Sequence, residues 1–384
     1  MAETEQRYRI IILGAGFSSP AGLPLGNELW QEIRKRACNL RGRASKFEDD
    51  LQEYQAFRRD CNGIELKADD VDFEEFLGYL DVEFFLGLRG SDTWSDDGNE
   101  SQVVVKTLIG QILTERTPQP TEIPDLYLEF AKRLCPNDWI ITFNYDILLE
   151  RALERVGKPF RLFPFRYGSV TEHNTEVDHD REEVVLLKVH GSVDWFDRRR
   201  YLKLCEARKP VGLPAKIDDP IFDRTDILTT PILGGPRFSN DPLKEMHRVR
   251  HIEQVYREPP LFLATPWLLT PSSMKVIYAI RDFWHGLGQV GALNLGMAII
   301  GFSLQEHDEY ARQVVYRMVR NYQQANWGAD ILGMRKHPVT IVDRRPPGPS
   351  RDEFRKRYAF VDWSKADCCF DGFSEGTLSQ IFGS

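Results

Sequence analysis

Residues 8–24 read YRIIILGAGFSSPAGLP, and this stretch decides the fold. The isoleucine-rich run 8–13 predicts a short, fully buried parallel strand that ends in a tight turn at Gly14. A helix is expected to begin near Leu25. Small residues in such a turn let the backbone approach a phosphate group closely, and the start of the helix offers free amide groups to it. The stretch therefore predicts a strand, an anion-binding loop and a helix.

Further segments have the character of the first strand, and helical patterns lie between several of them. The strand candidates are 139–143, 184–189, 261–264, 297–300 and 339–342. The helical patterns are 147–156, 273–293 and 309–325. Strands that alternate with helices are typical of a parallel sheet with helices on both faces. We therefore predict an α/β fold of the Rossmann-like, doubly wound class with a mainly parallel sheet.

Two stretches interrupt this alternation and predict insertions. In 31–124, Phe73, Phe76, Leu77 and Leu80 are spaced to form one apolar stripe on a helix. We expect a helical insertion there, with the acidic segment 91–100 as an exposed loop. The stretch 196–259 is polar, Arg-rich and punctuated by Pro and Gly, which predicts an irregular insertion. The Rossmann-like domain is then expected to comprise 1–30, 125–195 and 260–384.

Composition narrows the class of protein. The chain has 384 residues, 42% of them hydrophobic, and a formal net charge of −8 from 50 Lys and Arg against 58 Asp and Glu. It is long enough for a sizeable core and has no overall positive field that would attract nucleic acid or an anionic membrane. Arginines 198–200 and the run 247–251 could form a local nucleic-acid patch, but a solvated or partner-facing surface is the favoured interpretation.

Targeting features are also absent from the sequence pattern. The first residues carry no apolar leader segment, and no stretch approaches the ~20 apolar residues of a membrane span. The six cysteines are scattered, and a chain of this length does not need disulfide bonds. We expect a cytoplasmic protein without membrane contact.

The glycine pattern disfavours an ordinary dehydrogenase. The dinucleotide fingerprint would place a third glycine at position 19, where the chain has Ser19. It would also place an acidic residue at a strand end ~20 residues further on, and none is found there. The loop predicts a phosphate site without predicting hydride transfer.

Polar residues follow the predicted strands in a specific order. The first is Thr142-Phe143-Asn144-Tyr145-Asp146, and His190-Gly191, Gly301-Phe302-Ser303 and Asp343 come after later strands. Ligands of open α/β sheets bind beyond the carboxyl ends of the strands, where all of these residues would meet. Each also has a structural interpretation, since Asn144 and Asp146 are common helix caps and His190 could be a buried structural residue.

Together these motifs resemble the sirtuin family. The opening loop is similar to Gly-Ala-Gly-x-Ser-x-x-x-Gly-x-Pro, and the second motif is similar to Thr-Gln-Asn-x-Asp with Phe143 in place of Gln. The resemblance implies that the protein uses NAD and that Asn144, Asp146 and His190 carry the chemistry. It implies an NAD-binding role for Gly14, Ala15, Gly16, Phe17, Ser18, Gly22, Pro24, Thr142, Gly301, Ser303 and Asp343.

Departures from the family point to a subgroup. Deacylating sirtuins carry a zinc module with paired Cys-x-x-Cys motifs, and this sequence has none, so we expect no structural zinc or other metal. Gly26-Asn27 also replaces the Phe-Arg that typically follows the first proline. The chain resembles the zinc-free, sirtuin-like proteins of bacterial anti-phage defence, which hydrolyse NAD to nicotinamide and ADP-ribose.

Alternative functions and partners remain open at the level of sequence. A deacylase or ADP-ribosyltransferase would use NAD as a co-substrate, and a non-catalytic module would only sense NAD or ADP-ribose. The resemblance implies a regulated enzyme, with a homo-oligomer and a HerA-like hexameric ATPase as expected partners by analogy. The two insertions are the surfaces where such partners would be expected to bind.

Overall fold

The computed structural model describes residues 9–40, 46–88, 98–136, 138–212, 219–241, 243–256, 265–270, 294–328 and 336–382. The strands are β1 (Arg9–Leu13), β2 (Trp139–Thr142), β3 (Phe160–Arg161), β4 (Tyr167–Val170), β5 (Thr175–Val177), β6 (Val184–Lys188), β7 (Trp195–Asp197), β8 (Thr229–Pro231), β9 (Met246–Val249), β10 (Gly296–Ile300), β11 (Val339–Val342) and β12 (Ala366–Cys369). The helices are α1 (Ala15–Ser18), α2 (Gly26–Asn39), α3 (Phe47–Asn62), α4 (Phe73–Leu86), α5 (Glu100–Arg116), α6 (Asp125–Arg133), α7 (Leu148–Arg155), α8 (Arg199–Arg208), α9 (Ile252–Tyr256), α10 (Glu309–Gln324), α11 (Pro349–Arg357) and α12 (Glu375–Phe382).

A seven-stranded sheet forms the centre of the fold, in the order β12-β11-β10-β1-β2-β6-β3. All of its neighbouring strands are parallel. Strand β1 is buried along its whole length because its isoleucines are covered on both faces. The predicted α/β, Rossmann-like class with a parallel sheet is confirmed.

The chain changes direction across the sheet beside β1. From β1 it passes to β2 and then to β6 on one side, and it later returns to β10 on the other side of β1. The carboxyl ends of β1 and β10 therefore meet at a topological switch point, where open α/β sheets bind their ligands. The loops at this point start with Gly14 and Gly301.

Several predicted elements agree with the structure and others fall outside it. Strands β1, β2, β6, β10 and β11 match the predicted segments, and helices α7 and α10 match the predictions at 147–156 and 309–325. The predicted strand at 261–264 and the predicted helix at 273–293 lie outside the described residues. The edge strands β3 and β12 were not predicted, since one has two residues and the other contains Asp367 and two cysteines.

The helical insertion contains α2 to α5, and Phe76, Leu77 and Leu80 of its predicted stripe are buried. Helix α5 runs through the middle of the group and is buried on nearly all sides. The expectation of an exposed loop over 91–100 is wrong at its end, because Asn99 caps α5 and Glu100 begins it, with both residues buried. Residues 91–97 are not among those described. In the described part of the chain, no helix has the length and apolar character to cross a bilayer.

The second insertion is more regular than expected. It contains α8 and most of a three-stranded antiparallel sheet in the order β7-β9-β8. Trp195 of β7 is fully buried and stacks on Trp267, with ring centroids 6.1 Å apart. The strands have three or four residues each, too few for an alternating pattern to be recognised between the prolines and glycines.

An ion pair is buried beneath the carboxyl end of β6. Lys188 Nζ lies 2.7 Å from Glu150 Oε1 of α7, and both side chains are almost fully excluded from solvent. Lys188 also donates a hydrogen bond to the carbonyl oxygen of Asp146. The pair therefore fixes the end of β6 against the segment that follows β2. Removing one partner would leave the other charge buried without compensation.

We predict that Lys188→Met destabilises the protein by about 3–5 kcal/mol, because it removes the hydrogen-bonded counter-ion of the buried Glu150 carboxylate. Chemical denaturation measures the change. The double variant Lys188→Met, Glu150→Gln should recover part of this loss, and Lys35→Met on the exposed side of α2 should change stability by less than about 0.5 kcal/mol. A loss below about 1 kcal/mol for Lys188→Met would contradict the assigned role of the pair.

Candidate functional site

The loops after β1 and β10 pack backbone against backbone. The Gly14 amide donates to the Ile300 carbonyl at 3.0 Å, and the Gly16 amide donates to the Gly301 carbonyl at 3.0 Å. A Cβ atom on Gly14 would lie 2.6 Å from Phe302 Cα, and one on Gly16 would lie 2.7 Å from Gly301 Cα. Both glycines are therefore required for the approach of the two loops, in addition to any role in binding a phosphate.

The rest of the glycine-rich loop is divided between the core and the surface. Ala15 and Gly22 are exposed, Pro24 is half-buried, and Gly22 ends a short helical turn at a φ of +89°. The ring of Phe17 is 1% exposed and packs edge-on against Tyr127 at a centroid distance of 5.2 Å. Any contact between Phe17 and a ligand would therefore have to use its backbone.

Asn144 connects the end of β2 to the glycine-rich loop. Its Nδ2 donates to the Gly14 carbonyl at 3.0 Å and to Ser18 Oγ at 3.2 Å, and its backbone amide donates to Thr142 Oγ1 at 3.1 Å. Thr142, Ser18 and Asn144 are all buried. Within the described part of the chain, no group donates a hydrogen bond to Asn144 Oδ1. The structure thus brings Gly14, Ser18, Thr142 and Asn144 into direct contact.

Asp146 acts as a helix cap. Its Oδ1 accepts a hydrogen bond from the Leu148 amide at 3.0 Å, at the first residue of α7. The side chain is buried, with 8% exposure. The structural interpretation of Asp146 is therefore realised, and capping leaves its second carboxylate oxygen for other contacts.

His190 follows β6 and is covered on several sides. It is 2% exposed, and its ring meets Phe143 edge-on at a centroid distance of 5.1 Å and Tyr310 at 5.8 Å. Its Nε2 lies 3.2 Å from Asp308 Oδ2, but the contact is not aligned as a hydrogen bond. Among the described residues, neither ring nitrogen has a hydrogen-bond partner. A buried imidazole in this state calls for a functional explanation.

Phe143 links His190 to the switch point. Its ring stacks on Phe302, with centroids 4.2 Å apart and planes 6° from parallel. Phe302 directly follows Gly301, which has a φ of +60°. Phe143 therefore contacts both the His190 ring and the Phe302 ring. Through these contacts, the residues after β2, β6 and β10 form one contiguous region.

Helix α4 of the insertion contributes an unexpected carboxylate to this region. Tyr145 Oη donates to Glu74 Oε1 at 3.1 Å, and the same oxygen lies 3.9 Å from His190 Nδ1. The second oxygen of Glu74 lies 3.4 Å from His307 Nε2. We call Asp72, Glu74, Glu75, His190, His307 and Asp308 the acid–imidazole cluster.

The charges in the acid–imidazole cluster shift one another. Burial alone would lower the pKa of His307, but the hydrogen bond with Glu74 and the charges of Asp72, Glu74 and Glu75 raise it to about 9. Burial alone would raise the pKa of Glu74, but the two histidines and Tyr145 lower it. Asp72, Glu74 and His307 bring possible metal ligands within 4.8 Å of one another. The high pKa of His307 means that a proton already compensates these carboxylates near neutral pH.

Sequence reasoning missed Glu74, His307 and Asp308. His307 and Asp308 lie between β10 and α10, so the rule that polar residues beyond strand ends form the site could have found them. Asp308 Oδ1 also caps α10 by accepting from the Ala311 amide at 3.2 Å, as an acid before a helical pattern often does. No sequence pattern marked Glu74 as a site residue, because it lies in a helix of the insertion and does not follow a strand.

Ser303 and Asp343 follow the strands β10 and β11. Ser303 is half-buried in the loop after Gly301. Asp343 follows β11, and its Oδ2 accepts a hydrogen bond from Arg345 Nε at 2.8 Å. Strand β11 is separated from β1 by β10, so Asp343 lies on the far side of the switch point from His190. Its predicted role toward an adenosine ribose stays a prediction.

Comparison with known proteins finds similarity to a SIR2-like domain in part of the chain. Residues 138–213 match the family model described as SIR2-like domain, and this segment includes Asn144, Asp146 and His190. A search of curated proteins finds no match. Among solved structures, Sir2Tm bound to a propionylated peptide is 12% identical over 98% of this chain and 92% of its own, with a TM-score of 0.30. A mutant Sir2 homologue in complex with 2'-O-acetyl ADP ribose is 13% identical over 98% of this chain and 91% of its own, with a TM-score of 0.36.

We predict that Gly301→Ala destabilises the protein by more than about 2 kcal/mol, because a Cβ atom there would overlap the backbone of Gly16 and Phe17. Thermal or chemical denaturation provides the measurement. Gly328→Ala is the matched control, since Gly328 has a φ of +80° but nothing within 4 Å of an added Cβ. It should cost only about 1 kcal/mol. Equal losses in the two variants would show that strain, and not loop packing, explains the glycine.

We also predict a pH-dependent loss of stability in His307→Gln. The pKa of His307 is raised from 6.5 to about 9 in the folded protein, so its contribution is fully present below pH 6.5 and is lost as the pH rises through 9. Wild type should exceed the variant by about 1–3 kcal/mol at low pH, with the gap closing in this window. The exposed His173, changed to Gln, should show no such trend. A gap that stays constant up to pH 10 would rule out the assigned ion pairs.

Proposed function

We propose that this protein hydrolyses NAD at the bond between nicotinamide and ribose, releasing nicotinamide and ADP-ribose. The observation that carries the proposal is the environment of His190. It is a buried imidazole without an aligned hydrogen bond among the described residues, it lies next to a carboxylate, and Phe143 connects it to Phe302 at the switch point of a parallel sheet. The SIR2-like match includes this residue and supports a substrate of the NAD type.

The switch point supplies features suited to a dinucleotide. The glycine-rich loop has small residues and exposed backbone at Ala15 and Gly22. Backbone amides in such loops bind phosphate groups. Asn144 Oδ1 has no hydrogen-bond donor among the described residues, so it can accept from a ribose hydroxyl or from water. On this proposal Gly14, Gly16, Ser18, Gly301 and Ser303 surround the dinucleotide, and Asp343 contacts the adenosine ribose.

The proposed chemistry needs one base and an environment that tolerates positive charge. The bond from ribose C1' to the nicotinamide nitrogen breaks, and its electron pair leaves with nicotinamide, which becomes neutral. The ribose then has oxocarbenium character, as in glycoside hydrolysis. Water forms the new bond to C1', and His190 in its neutral form accepts the proton that the water loses. Asp308 lies 3.2 Å from Nε2 and stabilises the resulting imidazolium.

The covered state of His190 fits an enzyme that is restrained. Tyr310, Phe143 and Glu74 of α4 surround the imidazole, so these groups must move before a substrate reaches it. An enzyme that destroys NAD without restraint would kill its host. We therefore propose a regulated, cytoplasmic effector of bacterial anti-phage defence that works as a homo-oligomer and is controlled by a HerA-like hexameric ATPase. Binding of such partners to the insertions would act directly on α4.

A second candidate is group transfer with NAD as co-substrate, by a sirtuin-type deacylase or an ADP-ribosyltransferase. The SIR2-like match favours it to the same degree, since that match covers Asn144, Asp146 and His190 and does not distinguish hydrolysis from transfer. Hydrolysis needs no acceptor other than water, whereas deacylation needs an acylated peptide and ADP-ribosyl transfer needs its own acceptor. Product analysis with and without an acylated peptide therefore separates these activities.

We predict that His190→Ala lowers nicotinamide release from NAD by at least about 100-fold, because it removes the base. Asp308→Asn should lower it by roughly tenfold or more. Asparagine still caps α10, so this variant removes the charge beside Nε2 and keeps the helix intact. The experiment follows nicotinamide and ADP-ribose by chromatography, with purified protein and NAD alone and then with candidate partners.

The control is His173→Ala, which changes an exposed histidine in the loop between β4 and β5 and should keep full activity. Folding of each variant is checked by circular dichroism. Wild-type turnover in His190→Ala would refute the assignment of the base. Release of nicotinamide only when an acylated peptide is present would favour deacylation. Binding of NAD without any turnover would favour a sensing module.

A further inference from the structure

A cavity of about 440 Å³ lies at the outer edge of the central sheet, away from the candidate functional site. We call it the edge cavity, and the residues that matter for its chemistry are Phe160, Arg161, Phe165, Arg237, Arg248 and Arg250. The first of these belong to β3 and the loop after it, and the others come from the second insertion. None of the predicted NAD-binding or catalytic residues lines this cavity.

Arginines dominate the charge of the edge cavity. Arg161 and Arg166 share one carboxylate, Glu183, which lies 3.9 Å from Arg161 and pairs closely with Arg166. Arg248 is compensated by Asp194 at 2.7 Å and Glu154 at 2.9 Å. Arg161 therefore has a carboxylate oxygen only at 3.9 Å from Nη1, while its Nε and Nη2 donate to the Pro164 carbonyl oxygen at 3.2 and 3.1 Å. Its Nη1 is the nitrogen that can bind a ligand.

Arg250 adds a cation that is available to solvent. It lines the edge cavity, its side chain is exposed, and it makes no ion pair with the described residues. The whole chain has a net charge of −8, so a local excess of guanidinium groups in a concave surface runs against the overall balance. Guanidinium groups bind phosphate oxygens through paired hydrogen bonds and keep their charge at all physiological pH values.

Aromatic rings accompany these cations. The Arg237 guanidinium lies over the ring of Phe163 at 4.7 Å and over that of Tyr167 at 5.1 Å. Phe160 and Phe165 also line the cavity and are half-buried. A planar base can stack on such rings or on a guanidinium plane. An inorganic anion has no planar base that could stack on these rings, so the rings would not increase its affinity.

We propose that the edge cavity is a binding site for a small phosphorylated ligand with a planar base, that is, a nucleotide. Arg161 and Arg250 bind its phosphate groups, and Phe165 contacts its base. The volume is in the range of ~300–1,000 Å³ that small-molecule sites occupy. An open cavity of this volume has room for a free nucleotide, whereas a nucleic-acid strand needs an extended basic groove.

The edge cavity lies between strand β3 of the central sheet and the second insertion. Among the strands that the structure describes, β3 pairs with β6 alone, through Phe160 with Val184 and Arg161 with Val185. His190 follows the opposite end of β6. The second insertion, through Arg237 and Arg250, closes the other side of the cavity. A nucleotide bound here would therefore bridge the sheet edge and this insertion.

Isothermal titration of the full chain with ATP and with inorganic tripolyphosphate tests the proposal. ATP should bind, and tripolyphosphate should bind roughly tenfold more weakly because it has no base. Arg250→Gln and Arg161→Gln should each weaken ATP binding by roughly tenfold. Phe165→Leu should weaken ATP binding without changing the affinity for tripolyphosphate. Arg59→Gln, at an exposed arginine of α3, is the control and should have no effect.

A competition experiment separates the edge cavity from the proposed NAD site. In His190→Ala protein, which should not consume NAD, saturating NAD should leave the affinity for ATP unchanged. ATP binding that is insensitive to Arg250→Gln, or competition with NAD that Arg250→Gln leaves unchanged, would overturn the proposal. So would equal affinity for ATP and tripolyphosphate, or tighter Arg250-dependent binding of a short single-stranded DNA. None of these results depends on whether the protein cleaves NAD.

Discussion

The backbone contact between the loops after β1 and β10 is the constraint on which the rest of the structure depends. A side chain at Gly14 or Gly16 would overlap Gly301 or Phe302, so the two loops can approach only because these residues are glycines. Amide-to-carbonyl hydrogen bonds then join the loops. Asn144 then holds the end of β2 to the same loop through Gly14 and Ser18. Three strand ends are in this way fixed relative to one another before any ligand arrives.

A second level of organisation is electrostatic. Lys188 and Glu150 lie under the end of β6, and the acid–imidazole cluster lies above it. His190 belongs to this cluster and follows Lys188 by two residues, in a region from which water is largely excluded. Charges interact more strongly in such a region than in water. The position of one carboxylate, Glu74 or Asp308, therefore has a direct effect on the imidazole.

The sequence was sufficient to predict the sheet and the strand-end motifs, because buried parallel strands are apolar runs and their carboxyl ends carry the polar residues. It was insufficient for β3 and β12, which are short or contain polar residues, and for the small sheet of the second insertion. Glu74 could not have been found, since nothing in a helical pattern shows which strand end it contacts. The edge cavity depends on arginines far apart in the chain, such as Arg161 and Arg250, whose neighbours only the fold determines.

The contact between Glu74 and the residues around His190 has a consequence for how this chain can be dissected. An insertion is often regarded as an ornament that can be trimmed to obtain a minimal catalytic core. Here the excision of α4 would remove one of the two acceptors of the Tyr145 hydroxyl and the counter-charge of His307, and would open one side of the imidazole to bulk water. A shortened chain would therefore be a chemically different molecule, and its behaviour would say little about the parent.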